Sequence, residues 1–250
     1  MSESIVYGRN ALEEALRAGT RVSRLLVAFE SRAPWVEALV ERARAARVRV
    51  DRVPQAELNR LARSRDHGGA VAIISPVEHV GLDEWLGACG KRATALVLDE
   101  VQNPRNLGML LRTALGAGVA GVVLPTRGGR LPTEEVVRAS AGAAFHVPVV
   151  YCPNTAAALR ELKDADFWVY GLDARGQTDV FALDWPARTA LVVGNEAQGL
   201  RPVVRKNCDD LVRIPLAGGL DSLNVAVAAG IALFQVAAAH RARAGGGETP

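Results

Sequence analysis

A chain of 250 residues leaves room for one large domain or two small ones, and the two-domain reading is preferred here. Apolar residues make up 49%, yet polar residues interrupt every long run and Gln235 closes the segment from Val225 to Phe234, so no membrane span is expected. Cys89, Cys152 and Cys208 lack CxxC spacing and neighbouring histidines, which excludes a zinc site or disulfide framework and points to a reducing cytosol; the start MSESIVYGRN lacks a signal-peptide pattern.

The first 75 residues carry 13 arginines against nine acids, a mildly basic stretch able to track a polyanion. Of the 30 cations 27 are arginine, a bias that GC-rich codons would also produce. Ala11 to Arg17 reads as a short helix, Arg24 to Ala28 as a strand and Trp35 to Ala46 as an amphipathic helix. A strand over Val48 to Val53, a helix over Pro54 to Ala62 and a strand over Ala70 to Ile74 complete a small α/β unit, residues 1–75. Residues 76–93, with Pro76, three glycines and the isolated Trp85, read as a linker.

A second domain is expected over 94–241. Strands at 95–98, 119–124, 147–150 and 167–171 alternate with helices at 106–116, 133–140 and 154–163. A strand at 189–193, a short helix near 200–206, a strand at 211–214 and a long helix from 222 follow, and 242–250 reads as a disordered tail. Apolar strands alternating with helices imply a parallel sheet covered on both faces, with ligands at the loops beyond the strands' C-terminal ends. Gly116 to Gly121 matches the dinucleotide fingerprint GxGxxG, but a helix precedes it and a strand follows, the reverse of what that fingerprint needs.

Three loops after strands stand out. In DEVQNPRNLGMLLRTALGAG, Pro104 halts the chain, Asn106 reads as a helix N-cap, and Arg112 falls at the edge of the apolar face. In VGNEAQGL, Glu196 is a carboxylate between glycines directly after an apolar strand. In IPLAGGLDSLNVAVAAGI, the polar hook Asp221-Ser222-Leu223-Asn224 sits before a long apolar helix, with Gly218 and Gly219 allowing close backbone approach. Taken singly, these loops amount to an exposed arginine, a turn and an ordinary helix cap.

Together, NPRNLGMLLRTA, VGNEAQGL and IPLAGGLDSLNVAVAAGI resemble the three ordered motifs of the SpoU/TrmH branch of the SPOUT RNA 2'-O-ribose methyltransferases, over about residues 94–240. Arg138 to Ala143 resembles a further family element. IVYGRNALEEAL and HGGAVAII are similar to the ribosomal-protein-like substrate-binding domain of bacterial enzymes that methylate a guanosine of 23S ribosomal RNA. The chain departs from that pattern at Asn10, often histidine there, and at Ala226, often serine.

The resemblance implies an α/β fold in which a parallel-sheet methyltransferase domain carries a C-terminal trefoil knot and follows the small α/β RNA-binding domain. It implies S-adenosyl-L-methionine as cofactor, no metal, RNA as partner, a homodimer and a cytoplasmic location. Carried over residue by residue, the cofactor would meet Gly194, Ile214 and Leu223 through backbone, with Leu216 and Gly218 nearby. Asn106, Arg112, Glu196, Ser222 and Asn224 would be catalytic, with Glu196 orienting Arg112, and Ser222 able also to cap the terminal helix. Alternatives are a transfer-RNA ribose methylase, a ribosomal RNA methylase conferring antibiotic resistance and, from another class, a non-catalytic RNA-binding protein.

Overall fold

A computed structural model of the protein describes residues 4–18, 22–75, 79–126 and 133–245. The chain begins with β1 (Ser4–Tyr7), α1 (Arg9–Arg17), β2 (Val22–Ala28), α2 (Pro34–Ala45), β3 (Arg49–Val53), α3 (Gln55–Ala62) and β4 (Ala70–Ile74). It continues with β5 (His79–Gly81), α4 (Leu82–Ala88), β6 (Ala93–Leu98), α5 (Pro104–Ala117), β7 (Gly121–Pro125), α6 (Glu134–Ala139) and a 3-10 turn at Ala143–Phe145. Then come β8 (Val149–Cys152), α7 (Thr155–Asp164), β9 (Trp168–Leu172), β10 (Thr178–Asp179), β11 (Arg188–Val193), α8 (Pro202–Asn207), β12 (Asp210–Arg213) and α9 (Val225–Gly245).

Two compact units result: Met1–Glu78 with Pro132–His146, and His79–Leu131 with Val147–Pro250. The first is a four-stranded sheet in the order β1-β4-β2-β3, where β4 runs antiparallel to β1 and β2 while β2 and β3 are parallel. Its core gathers Tyr7, Leu26, Ala28, Leu58 and Val71. α6 and the 3-10 turn belong to this unit, although they interrupt the stretch read from the sequence as one second domain. Val136, Val137, Ala143 and Ala144 bury their apolar surface there, the Arg138 guanidinium lies over the Tyr7 ring, and His146 Nε2 meets Glu14 Oε2 at 2.8 Å. Gly142, at φ +87, passes so close to α1 that a Cβ would lie 2.4 Å from Glu14 Cβ.

The second unit is an eight-stranded sheet in the order β10-β12-β9-β11-β6-β7-β8-β5, with every neighbouring pair parallel. β6 and β7 are buried at every position, as the near-continuous apolar strands of a doubly covered sheet require. The core runs from Trp85 through Val97, Val123 and Leu159 to Val192 and Val204. Gly118 ends α5 in the left-handed conformation at φ 72 and its N–H reaches Ala114 O and Leu115 O, so the GxGxxG glycines form a helix stop and a turn into β7.

Three readings from the sequence are corrected. Residues 76–78 of the supposed linker lie outside the described residues, but the rest of it forms β5, α4 and the start of β6. The isolated Trp85 is what seats α4: it is buried, donates Nε1–H to Ala120 O at 3.0 Å, and would clash with any side chain at Gly121, whose Cβ would lie 2.5 Å away. The C-terminal helix continues to Gly245, so 242–245 are not tail, while 246–250 lie outside the described residues. Gln235 does not close its apolar run: Val225–Ala244 is long and apolar enough by length and composition to cross a membrane. Here α9 packs against α5 and β11.

Candidate functional site

The three loops emerge at the C-terminal ends of β6, β11 and β12. β6 and β11 are neighbours, so the first two loops lie side by side. β12 is separated from β11 by β9, and the third loop leads the chain back to α9, which lies on α5.

Asn103, not Asn106, caps α5. Pro104 occupies the first helical position, where its missing N–H costs nothing, so the preceding asparagine becomes the cap and its Oδ1 accepts from Arg105 N at 2.9 Å. Asn106 therefore lies inside the first turn, only 6% exposed, with its side chain free to bond elsewhere. Its Nδ2 donates to Glu196 Oε1 at 2.9 Å and its Oδ1 accepts from Asn224 Nδ2 at 3.0 Å. One amide thus ties the three loops together.

Glu196 is anchored at the N-terminus of α5. Besides Asn106 it accepts from Asn103 N at 3.1 Å and Gln102 N at 3.5 Å, placing an anion where helix N–H groups are unpaired. Burial pushes its carboxyl up, but hydrogen bonds from the Asn106 amide and from the backbone of Glu196, Asn103 and Gln102 outweigh that and hold its pKa below the usual 4.5. The expected pairing of Glu196 with Arg112 is absent: Arg112 stands about 9 Å further along the helix, a third of a turn off the Asn106 face, and is exposed. Arg105, Met109 and Arg112 form one exposed stripe at helical spacing.

The second loop owes its shape to Gly194, which is buried. Asn195 and Gly199 exchange backbone hydrogen bonds at 3.0 and 2.9 Å, and a Cβ on Gly194 would lie 2.2 Å from the Gly199 carbonyl carbon. Asn195 Oδ1 accepts from Ala197 N and Gln198 N, and Nδ2 donates to Glu100 O at 3.0 Å.

Ile214, Leu216 and Leu223 in the third loop are half-buried; Gly218 and Ser222 are exposed. Gly218 and Gly219 both take φ +71, with nothing within 4 Å of where a Cβ would stand. Residues 214–223 make none of the backbone–backbone hydrogen bonds found among the described residues outside regular elements. Their N–H and C=O groups therefore face water or a ligand. Asn224, not Ser222, caps α9: its Oδ1 accepts from Ala226 N at 2.9 Å and its carbonyl from Ala228 N at 2.9 Å.

Of the five residues expected to be catalytic, then, Asn106 is hydrogen-bonded to both Glu196 and Asn224, whereas Arg112 and Ser222 have no side-chain partner among the described residues. Asp99, Glu100, Asn103, Asn195 and Arg201 also build the site and were not singled out in the sequence. The available signal was an acid, Asp99, placed directly after the wholly apolar ALVL of β6. No cluster of three or more histidine, cysteine or acidic side chains able to hold a metal occurs among the described residues.

Comparison with known proteins gives a consistent result. Residues 93–234 match the model of the SpoU rRNA Methylase family, and residues 5–80 match that of the RNA 2'-O ribose methyltransferase substrate-binding domain. A Staphylococcus aureus protein named "Putative TrmH family tRNA/rRNA methyltransferase" is 35% identical over 239 residues, covering 94% of this chain and 96% of its own. The SpoU methyltransferase AviRb from Streptomyces viridochromogenes, solved with AdoMet, superposes with a TM-score of 0.77 at 26% identity, covering 97% of this chain and 91% of its own. An AdoMet-bound rRNA methyltransferase from Sinorhizobium meliloti gives 0.78 at 28% identity, covering 96% and 87%.

Proposed function

Because the chain belongs to the SpoU rRNA methylase family and is an S-adenosylmethionine-dependent RNA methyltransferase, we propose that it methylates a ribose 2'-hydroxyl of RNA at the meeting point of its three loops. The observation that carries this reading is the Asn224–Asn106–Glu196 chain of hydrogen bonds, which joins loops from β6, β11 and β12 at one place. The residues present suit the cofactor. Unpaired backbone from Ile214 to Leu223 and the tightly closed turn at Gly194 offer donors and acceptors for an adenine edge, while Leu216 and Gly218 leave apolar surface and open space.

When bound, the cofactor would supply a sulfonium methyl with a neutral thioether as leaving group, and the ribose hydroxyl would pass its proton to water as its oxygen takes the methyl. The protein's contribution is alignment and electrostatics. Arg112 is exposed and unpaired, and an arginine keeps its proton in proteins, so its role is to hold an RNA phosphate and stabilise the oxyanion forming beside it. Glu196 holds Asn106, and Asn106 holds Asn224, fixing the third loop against the first. Ser222, exposed beside Asn224, orients the ribose or its phosphate.

The target is a guanosine of 23S ribosomal RNA in this reading. It is supported by the substrate-binding match over 5–80 and by nearly full-length similarity to a protein described as an rRNA methyltransferase. A transfer RNA is the second reading, favoured by the tRNA/rRNA name of the Staphylococcus relative. The enzyme is also proposed to be a cytoplasmic homodimer with a trefoil knot. Half-exposed Val227 and Phe234 on α9 and Met109 and Leu115 on α5 supply apolar surface for a second copy, and the return of α9 from the β12 side onto α5 suits a threaded C-terminal segment. The test is Arg112→Ala: methylation should fall at least about a hundredfold with calorimetric AdoMet affinity unchanged, and retained turnover would overturn the role of Arg112. Mapping 2'-O-methyl sites in RNA from a deletion strain distinguishes ribosomal from transfer RNA.

A further inference from the structure

β6 ends on a carboxylate that water does not reach. Asp99 is 0% exposed, and a charge so deep persists only when fully partnered. Arg201 supplies the partners: its Nε lies 3.0 Å from Oδ1 and 3.2 Å from Oδ2, Nη2 also bonds Oδ1, and its backbone N–H donates to Oδ2 at 3.2 Å. The same guanidinium reaches Thr155 Oγ1 at 3.3 Å, on the first residue of α7, and Glu100 Oε1 at 2.8 Å.

Glu100 is held in the left-handed conformation at φ 61, which a residue with a Cβ adopts reluctantly. Two bonds keep it there: the Arg201 pair to its carboxylate and Asn195 Nδ2 to its carbonyl at 3.0 Å. The second loop is therefore gripped at both ends, by Asn195 and by Arg201, on adjacent residues at the end of β6. Between those two grips lies Glu196, and the chain leaving Glu100 presents the Gln102 and Asn103 N–H groups to it.

We propose that Asp99 and Arg201 are positioning residues for the methyl-donor pocket: their ion pair sets the second loop's place over the first, and through Glu196 and Asn106 the place of the third. This rests on the pocket proposed above. No other cation pairs with Asp99 among the described residues, and a lysine cannot reproduce the two-oxygen grip, since its ammonium is a single point of charge.

The test uses the full chain and calorimetric AdoMet titration well below each variant's unfolding temperature. Arg201→Lys should weaken AdoMet at least about tenfold at unchanged stoichiometry; a reduced stoichiometry with wild-type affinity would signal simple misfolding and overturn the proposal. The paired variant Asp99→Asn/Arg201→Met removes both charges of the buried pair and leaves only the Glu100 carboxylate, a third exposed, to turn to water. It should unfold within a few degrees of wild type yet bind AdoMet as weakly as Arg201→Lys, and wild-type affinity in it would equally overturn the proposal. Leu216→Asp separates the two claims. Lost affinity there with normal affinity in the paired variant sinks the ion-pair role alone, whereas normal affinity in both sinks the pocket as well.

Discussion

Removing the Asn106 side chain should loosen all three loops at once, and Asn106→Ala is the simplest way to do so. The residue makes one hydrogen bond to a carboxylate and one to a neutral amide, at 2.9 and 3.0 Å. Such bonds contribute about 1.5–3 and about 0.5–1.5 kcal/mol respectively. Glu196 and Asn224 are themselves exposed and can turn to water when released, so the lower end, about 2 kcal/mol, is expected. For a chain of this size that lowers the unfolding temperature by about 4–8 °C. Three of the four tryptophans, Trp85, Trp168 and Trp185, lie in the second unit and only Trp35 in the first, so tryptophan emission reports mainly on unfolding of the second. AdoMet affinity should fall in the same variant. An unfolding temperature within about 1 °C of wild type, with unchanged affinity, would refute the claim that this amide couples the loops.

Gly194→Ala places a methyl 2.2 Å from the Gly199 carbonyl carbon, so the second loop must open; AdoMet affinity should drop about tenfold or more by calorimetry. Trp85→Ala empties a buried indole site and breaks its bond to Ala120 O, costing about 3–5 kcal/mol in denaturant unfolding. Arg105 shares the exposed stripe of Arg112, so Arg105→Ala should weaken RNA binding and reduce the slope of log affinity against log salt by about 0.7–0.9, with AdoMet binding unaffected.

The parallel sheet was legible because β6, β7 and β11 are almost wholly apolar and Gly118 marks where α5 must stop. The site was legible only as a set of residue types near one another. That Asn103 takes the cap follows from Pro104 fixing the first helical position, a local rule readable in principle from NPRN. What Asn106 then does with its freed amide depends on Glu196 and Asn224, 90 and 118 residues away, which no local pattern specifies. α4 escaped notice because seven residues around one tryptophan carry too little periodicity, and β5 and β10 are strands of three and two residues. The transfer of α6 to the first unit is likewise non-local, set by the fit of Gly142 against Glu14.

The ionisable side chains of the three loops are carboxylates and one arginine, Arg105; no histidine, lysine, cysteine or tyrosine occurs between residues 99 and 106, 194 and 199, or 214 and 224. Asp99 is locked to Arg201, and the Glu196 carboxylate is already spent on two backbone N–H groups and the Asn106 amide. Neither is placed to collect a proton from a ribose hydroxyl at neutral pH. The departing sulfur is neutral and the attacking oxygen can pass its proton to water or to the RNA phosphate as its bond to the methyl forms, with Arg112 stabilising the negative charge that develops, so no side chain need titrate during turnover. Because the folded pKa of Glu196 is depressed, its stabilising contribution is complete above the ordinary value of 4.5 and is lost as pH falls through the depressed one. Turnover should therefore show no side-chain inflection between about pH 6 and 8 and should collapse only in acid, together with AdoMet binding. An inflection near neutrality that vanishes in Glu196→Gln would assign Glu196 the role of base and overturn its reading as an anchor.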